Sequence, residues 1–304
     1  MIDLNLTIPA AFLEGEERSG YYVSCQMKQV WAVEMDLLSE FLRVCKKNNL
    51  PCFVDAGTLL GTIRHRGFIP WDDDIDVCMI RKDYDRLVEI AEDEFQPPYK
   101  FQCYYTEDDY PRGHAQLRNV NTKAILEGER RFHFIFNQGI FIDIFVLDYV
   151  PQNPDERKKL ERKVNLFTRI LFSKTSHRKI KLGKSFIRDL ITERMRFVPG
   201  SYRYYARRKD QALRKTPQSE YVAPLGFIFD TEKRIRLLEL YKETIWLPFE
   251  FIEVPVPIGY DTYLKSRFGN YMKLVQIPNT HGETIFDVDH PAGYDIEAQK
   301  DDEF

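Results

Sequence analysis

Apolar positions recur at helical spacing through Val30, Val33, Leu37, Leu38, Phe41, Leu42 and Val44-Cys45. A long amphipathic helix is therefore expected from Ser24 or Cys25 to Asn48. Asn48-Asn49 end it, and Pro51 forbids its continuation. Lys82 to Glu94 repeats the pattern, with Tyr84, Leu87, Val88 and Ala91 on one face, until Pro97-Pro98 break it. Between the two, Pro51 to Val54 reads as a short strand, Ala56 to Thr58 as a turn, and Leu59 to Arg64 as the start of a helix. Tyr99 to Tyr105 alternates like a strand. Ala115 to Arg118 and Lys123 to Leu126 look like a strand pair turned by Asn119 to Thr122. Gln138 to Phe145 reads as a buried strand, and Leu147 to Pro151 as its exit from the sheet. Helices are expected over 153–176, 184–197 and 202–214, then short strands over 218–260 and a short helix over 260–268. Residues 1–20 read as a loosely structured arm, and the tail after Pro291 as disordered.

The polar positions that break this pattern concentrate in Phe53 to Met79, F-V-D-A-G-T-L-L-G-T-I-R-H-R-G-F-I-P-W-D-D-D-I-D-V-C-M. If Asp74-Ile75-Asp76-Val77 is a strand, Asp74 and Asp76 share a face and Ile75 and Val77 enter the core. Asp72 joins that face if the strand begins early enough, and Asp73 points away. Carboxylates crowded on one face repel unless a cation sits between them. Oxygen-only ligands favour a hard ion, Mg²⁺ or Mn²⁺. Upstream, Gly57 lets backbone N–H groups approach an anion, and the Gly57-Thr58-Leu-Leu-Gly61 helix start favours negative charge. Arg64, His65 and Arg66 add positive charge. A phosphate cradle beside a metal-binding strand suits phosphoryl or nucleotidyl transfer. Asp143 lies within an apolar strand, where a lone carboxylate needs a cation or donors. Asp148, at the strand exit, reads as a turn residue or a helper to the site. Arg118 fits a phosphate contact and an ordinary salt bridge equally. Trp71 reads as a packing anchor. His65 is no nucleophile, because no Ser/His/Asp spacing supports one.

The 304 residues leave ample room for a core, and five cysteines without a C-x-x-C pair read as buried thiols in a reducing compartment. No signal peptide and no transmembrane run is expected. Charge changes the picture more. Arg157 to Lys215 holds 20 Lys/Arg against 4 Asp/Glu, a balance of +16, so the remainder carries −19 of the net −3. Such segregation creates a lasting positive field and speaks about partners. With the apolar residues Phe186, Ile187, Leu190, Ile191 and Met195, it points to an anionic membrane surface met by 157–215, or to a helical cover for the core. No nucleic-acid partner is expected.

The string A-G-T-L-L-G-T-I-R-H-R-G-F-I-P-W-D-D-D-I-D closely resembles the LicD family of phosphocholine transferases and, more distantly, fukutin-related transferases and the nucleotidyltransferase superfamily. G-I-F-I-D-I-F-V-L-D, with Asp143, resembles the family's second block, and Pro248 to Met272 a later one. The family often has Gly-Gly-Thr where this chain has Ala56-Gly57-Thr58, and Tyr-Gly-Asp where it has Phe268-Gly269-Asn270. The resemblance implies a nucleotidyltransferase-like α/β (α+β) fold: a small mixed twisted sheet with packed helices. The expected layout is a catalytic core over 1–152, a basic helical insertion over 153–217, and a return to the core over 218–304. The implied catalytic residues are Asp74, Asp76 and Asp143, with Asp72 as a further metal ligand for Mg²⁺ or Mn²⁺. Gly57, Thr58, Gly61, Arg64, Arg118 and His281, a late histidine of the kind the family carries, would bind substrate. The implied reaction is metal-dependent transfer of phosphocholine from CDP-choline to a hydroxyl of a cell-surface glycan or lipid-linked glycan precursor. Transfer of phosphoethanolamine, a sugar phosphate or a nucleotide is the alternative within enzymes. A non-catalytic metal-binding or membrane-associated scaffold is the alternative outside them. The location expected is cytoplasmic, or peripheral on the inner face of the membrane.

Overall fold

The computed structural model describes residues 3–130, 132–175, 194–226, 232–276 and 284–292. In chain order the elements are β1 (Glu16–Arg18), β2 (Tyr21–Val23), α1 (Cys25–Lys47), β3 (Phe53–Val54), α2 (Ala56–His65), β4 (Asp76–Ile80), α3 (Arg81–Glu94), β5 (Tyr99–Gln102), β6 (Ala115–Asn119), β7 (Lys123–Leu126) and α4 (Glu127–Arg130). Then come β8 (Phe141–Tyr149), α5 (Pro154–Thr175), α6 (Tyr202–Leu213), β9 (Tyr221–Ala223), β10 (Arg236–Leu237), β11 (Thr244–Phe249), β12 (Ile252–Pro257), α7 (Tyr260–Phe268) and β13 (Thr284–Asp287).

β8 is the hub of a seven-stranded mixed sheet. It runs parallel to β4 and antiparallel to β6 and β9, with β3, β5 and β10 completing the sheet. This is the mixed α/β fold expected. The parallel register sets Asp76 opposite Asp143. Strand alternation then turns Ile142, Ile144 and Val146 into the core, while Phe141, Asp143 and Phe145 face a cleft.

α1 forms where the periodicity placed it. The Ser24 hydroxyl accepts from Met27 N, and Trp31, Met35, Leu37, Leu38 and Phe41 are fully buried beneath the sheet. Each such side chain is worth roughly 1.5–3 kcal/mol of burial before its entropy cost.

Several expectations are corrected. The expected loose arm over 1–20 is, from residue 3 on, no loose arm: Phe12 is buried, β1 and β2 pair, and Arg18 forks onto Glu250. α2 begins at Ala56, with no separate turn before it. β6 and β7 do not form a hairpin. β6 is taken by β5 and β8, and β7 pairs with the distant β13, because both edges of β6 are filled within the sheet. β8 does not leave the sheet at Leu147 but continues to Tyr149, where β9 extends it. Asp148 is therefore a buried strand residue, not a turn residue. Cys25 is exposed, and the other four thiols are buried, as expected; all five are free. The expected helix over 184–197 lies outside the described residues except for 194–197, where Met195–Phe197 form a single turn. The tail from 293 onward lies outside them too. Among the described residues, no helix is long and apolar enough to cross a membrane.

α5 and α6 pack on each other through Phe167, Ile170, Leu171, Tyr202, Tyr205 and Ala206. A buried ionic network fastens them to the sheet. Arg81 Nε donates to Asp148 Oδ1 at 2.6 Å and its Nη1 to Asp210 Oδ1 at 3.2 Å; Arg214 and the Tyr105 hydroxyl also donate to Asp210. Lys209 lies beside this network, fully buried, its ammonium 5.4 Å from the centre of the Tyr104 ring. Burial pushes its pKa down to about 7, with Asp148 offsetting only part of the cost. The unfolded lysine keeps its ordinary value near 10.5, so the folded state loses its proton first. Stability therefore rises as pH climbs from about 7 toward 10.5, and the penalty is full below that window. Lys209→Met is expected to raise the unfolding midpoint at pH 7 by about 2–4 °C. The gain should shrink as the pH is raised to 10, as thermal melts followed by circular dichroism would record.

Candidate active site

The Asp-rich loop cannot choose its own shape, because its like charges repel; it is tied down from three sides. Trp31 Nε1 donates to the Asp72 carbonyl at 3.1 Å, and the Trp31 ring stacks on Phe68. Asp55 N donates to the Asp76 carbonyl at 2.9 Å. Asp76 N donates to Thr58 Oγ1 at 2.8 Å. Ile75, with no exposed surface, plugs the loop into the core. The result is a cleft of about 910 Å³ that takes Asp72, Asp73, Asp74, Asp76 and Asp143 into its lining.

Asp72, Asp73 and Asp74 each bring an oxygen within 4.8 Å of the others. Burial, then the charges of Asp74 and Asp73, lift the Asp72 carboxyl well above its ordinary range. Burial, then Asp74 and Asp143, do the same to Asp76. Asp143 goes the other way. Burial alone would raise it, but His114 and Gln116 outweigh that and hold it below its ordinary value. Gln116 Nε2 donates to Asp143 Oδ1 at 2.7 Å, and His114 Nε2 lies 3.1 Å from the same oxygen. Several carboxylates under mutual repulsion, offering oxygen alone, are a donor set that fits a hard divalent cation.

The sequence-derived candidates separate here. Asp72, Asp74, Asp76, Asp143, Gly57 and Arg64 line the cleft. Asp73, expected to point away, lines it as well and lies 3.3 Å from Thr284 Oγ1. The loop precedes β4, which begins only at Asp76, so strand alternation does not govern Asp73. Thr58 does not line the cleft; its hydroxyl is spent on Asp76 N, so it positions Asp76. Gly61 is packed, since a Cβ there would come 2.4 Å from the Gly67 carbonyl. The space beside Gly57 is filled by Asp72, whose Oδ2 would be 2.6 Å from an added Cβ. The absence of a side chain at Gly57 thus makes room for the Asp72 carboxylate. Arg64 donates to the carbonyls of Tyr271 and Lys273 at 3.1 and 3.3 Å. Arg118 is buried off the cleft, donating to the Gly139 carbonyl and to Gln116 Oε1. It orients the glutamine that holds Asp143. Trp71 packs edge-on to Tyr21, as an anchor should, and also touches the cleft. His281 lies outside the described residues.

Sequence reasoning missed the residues that complete the site. Glu34 belongs to the helical pattern of α1, yet it reaches the cleft. Burial, then Asp74 and Asp73, raise it well above the carboxylate range. A charged residue inside an otherwise apolar helix face was the available signal. His114, Gln116, Arg112, Arg234, Arg236 and Arg267 also line the cleft. They come from segments whose pairing partners were not legible.

This arrangement agrees with the comparison to known families. Residues 49–163 match the family model of the LicD/FKTN/FKRP nucleotidyltransferase domain. Over those residues the chain is similar to LicD-type nucleotidyltransferase domains. Its similarity to the lipopolysaccharide cholinephosphotransferase LicD of Haemophilus influenzae is 27% identity over 253 residues, 82% of this chain and 92% of that protein. An uncharacterized protein of Rickettsia prowazekii is 39% identical over 117 residues, 38% of this chain and 40% of that one. The matched segment holds the whole Asp loop, Asp143, His114 and Gln116. Glu34 and the three late arginines, Arg234, Arg236 and Arg267, lie outside it.

Gly57→Ala is expected to push the Asp72 carboxylate out of place while leaving the rest of α2 folded. Mn²⁺ affinity, measured by calorimetric titration, should fall by about 10- to 100-fold, as it does when a metal site loses its supporting geometry.

Proposed function

We propose that the protein transfers phosphocholine from CDP-choline to a hydroxyl of a lipopolysaccharide or related cell-surface glycan precursor, with Mg²⁺ or Mn²⁺ bound. One observation carries this reading: a single cleft has a carboxylate wall built on the paired Asp76 and Asp143 and a guanidinium wall facing the same space. The similarity to a cholinephosphotransferase along nearly its whole length supports the choice of head group and acceptor.

Asp72, Asp74, Asp76 and Asp143 would hold the divalent ion, with Asp73 beside them. The bound ion supplies charge neutralisation and Lewis acidity at the phosphoryl group. Asp143 stays ionised because Gln116 and His114 engage its Oδ1. Thr58 and Trp31 keep the loop rigid, so little reorganisation remains for the reaction. A carboxylate oxygen of the aspartate group takes the proton from the acceptor hydroxyl, the hydroxyl oxygen bonds to the choline-side phosphorus, the bond from that phosphorus to the diphosphate bridging oxygen breaks, and CMP leaves with the bridging oxygen. Phe141, Phe145 and Phe172 add apolar surface to the cleft lining, with Phe141 and Phe145 on the same strand face as Asp143. The cytoplasmic location belongs to this same reading.

The decisive experiment incubates the protein with CDP-choline, CDP-ethanolamine, CDP-ribitol and nucleotide-sugars, with and without Mg²⁺, and follows release of the nucleotide. CMP release from CDP-choline is expected, abolished by chelation and lowered at least about 10²-fold in Asp74→Ala. Preference for another donor would reassign the head group. No turnover of any donor would leave a binding scaffold.

For a membrane-held acceptor, the basic helices supply a docking face. Lys158, Lys159, Arg162, Lys163 and Arg169 are exposed along α5, and Arg207 and Arg208 on α6; Phe197 between the helices is 82% exposed. Each cation near an anionic leaflet is worth about 1 kcal/mol. Co-sedimentation with phosphatidylglycerol vesicles is expected, weakening with salt and with Lys158→Glu/Lys159→Glu/Lys163→Glu. Equal partitioning onto neutral vesicles, or none onto either, would make these helices a solvated cover.

A further inference from the structure

We propose that Arg234 and Arg267, backed by Arg236, form an anion subsite that holds the phosphate of the nucleotide half of the donor. The inference deepens the proposed function and rests on that reading for the identity of the nucleotide.

The three guanidinium groups come from two places in the chain. Arg234 and Arg236 lie on the turn into β10 and on β10 itself, and Arg267 on the last turn of α7. All three line the cleft that contains the Asp loop. Arg234 is half-buried there, and burial together with the positive charges of Arg267 and Arg236 pushes its pKa down.

Arg236 is the fixed member. Its Nη1 donates at 2.8 Å to Asp55 Oδ1 and, at the same distance, to the Tyr241 hydroxyl, and its guanidinium lies 4.3 Å from the centre of the Tyr263 ring. Its Nε is buried without an acceptor. A buried N–H left unpaired costs free energy, and a ligand oxygen would recover it. Asp55 is the residue before α2, so this ion pair also seats the arginine group beside the first turn of the helix that supports the Asp loop. Because the Asp55 carboxylate is turned toward Arg236, it caps no N–H of α2.

Arg64 donates to two carbonyls, and Arg112 pairs with Glu129. Guanidinium forks match phosphate oxygens in pairs, whereas carboxylates need a cation before they meet a phosphate. The two walls thus divide the donor. The aspartates serve the reacting phosphoryl group through the ion, and the arginines take the phosphate of the departing CMP directly.

The test uses the full chain in EDTA, so that the aspartate wall makes no cation-mediated contribution. CMP, cytidine and glucose 6-phosphate are titrated calorimetrically against wild type, Arg234→Gln/Arg267→Gln and Asp74→Asn, each checked for an unchanged circular dichroism spectrum. The wild type is expected to bind CMP at least about tenfold more tightly than cytidine. The double arginine variant should lose that difference, and Asp74→Asn should keep it. With Mg²⁺ and CDP-choline, the double variant should raise KM more than it lowers kcat. Unchanged CMP affinity in a folded double variant would overturn the subsite. Arginine-dependent binding of glucose 6-phosphate without CMP binding would overturn its assignment to the donor and give it to a phosphorylated acceptor. Arginine-dependent CMP binding without turnover of CDP-choline would uphold the subsite and sink the phosphocholine reading. Turnover with arginine-independent CMP binding would do the reverse.

Discussion

The structure depends on keeping mutually repelling carboxylates together in one cleft. Burial and the charge of neighbouring carboxylates raise the proton affinity of Asp72, Asp76 and Glu34, while Asp143 is held down by His114 and Gln116. Left to itself, such a group would splay apart. What prevents this is a rigid frame assembled from the most buried parts of the molecule. α1 contributes Trp31, α2 contributes Thr58, and the parallel β4–β8 pair fixes Asp76 against Asp143. Core packing is thus spent on holding charges where they would not otherwise stay, a pattern typical of sites built for a cation and a phosphate.

Buried ion pairs join the remaining parts to that frame. The Arg81–Asp148–Asp210 network fastens α6 to β8 and α3, and Arg236–Asp55 fastens β10 to the start of α2. Ion pairs of this kind are weak evidence for stability, because desolvation offsets much of the attraction. Their value is positional. Each leaves a buried charge unpaired if the element it anchors shifts, so the cleft is closed by elements that have one favourable seating. The β11–β12 hairpin does the same near the exit of α2, where Glu250 accepts from Phe68 N and pairs with Arg18.

Much of this was legible in the sequence. The periodicity of α1 and α3, the strands carrying Asp76 and Asp143, and the concentration of aspartates after Pro70-Trp71 are local patterns, and local patterns survive without tertiary information. The LicD resemblance added the pairing of Asp143 with the Asp loop. Periodicity failed where a choice of partner decided the outcome. β6 and β7 look like a hairpin because both alternate and a turn lies between them, yet β8 and β13 offered better edges. Asp148 looks like a strand exit because a proline follows soon after, yet β9 and Arg81 made a buried position tolerable.

The sequence by itself determined which residues could carry charge chemistry and which helices and strands would form, because residue type and spacing act over one or two turns of chain. Only the tertiary structure decided what each charge does. It turned Thr58 and Arg118 from ligand binders into supports and gave the space beside Gly57 to Asp72. It drew Glu34, His114, Arg234, Arg236 and Arg267 into the cleft from segments tens to hundreds of residues away. The reason is physical. A side chain's role depends on what burial leaves for it to pair with, and those partners are chosen by strand pairing and packing across the whole fold.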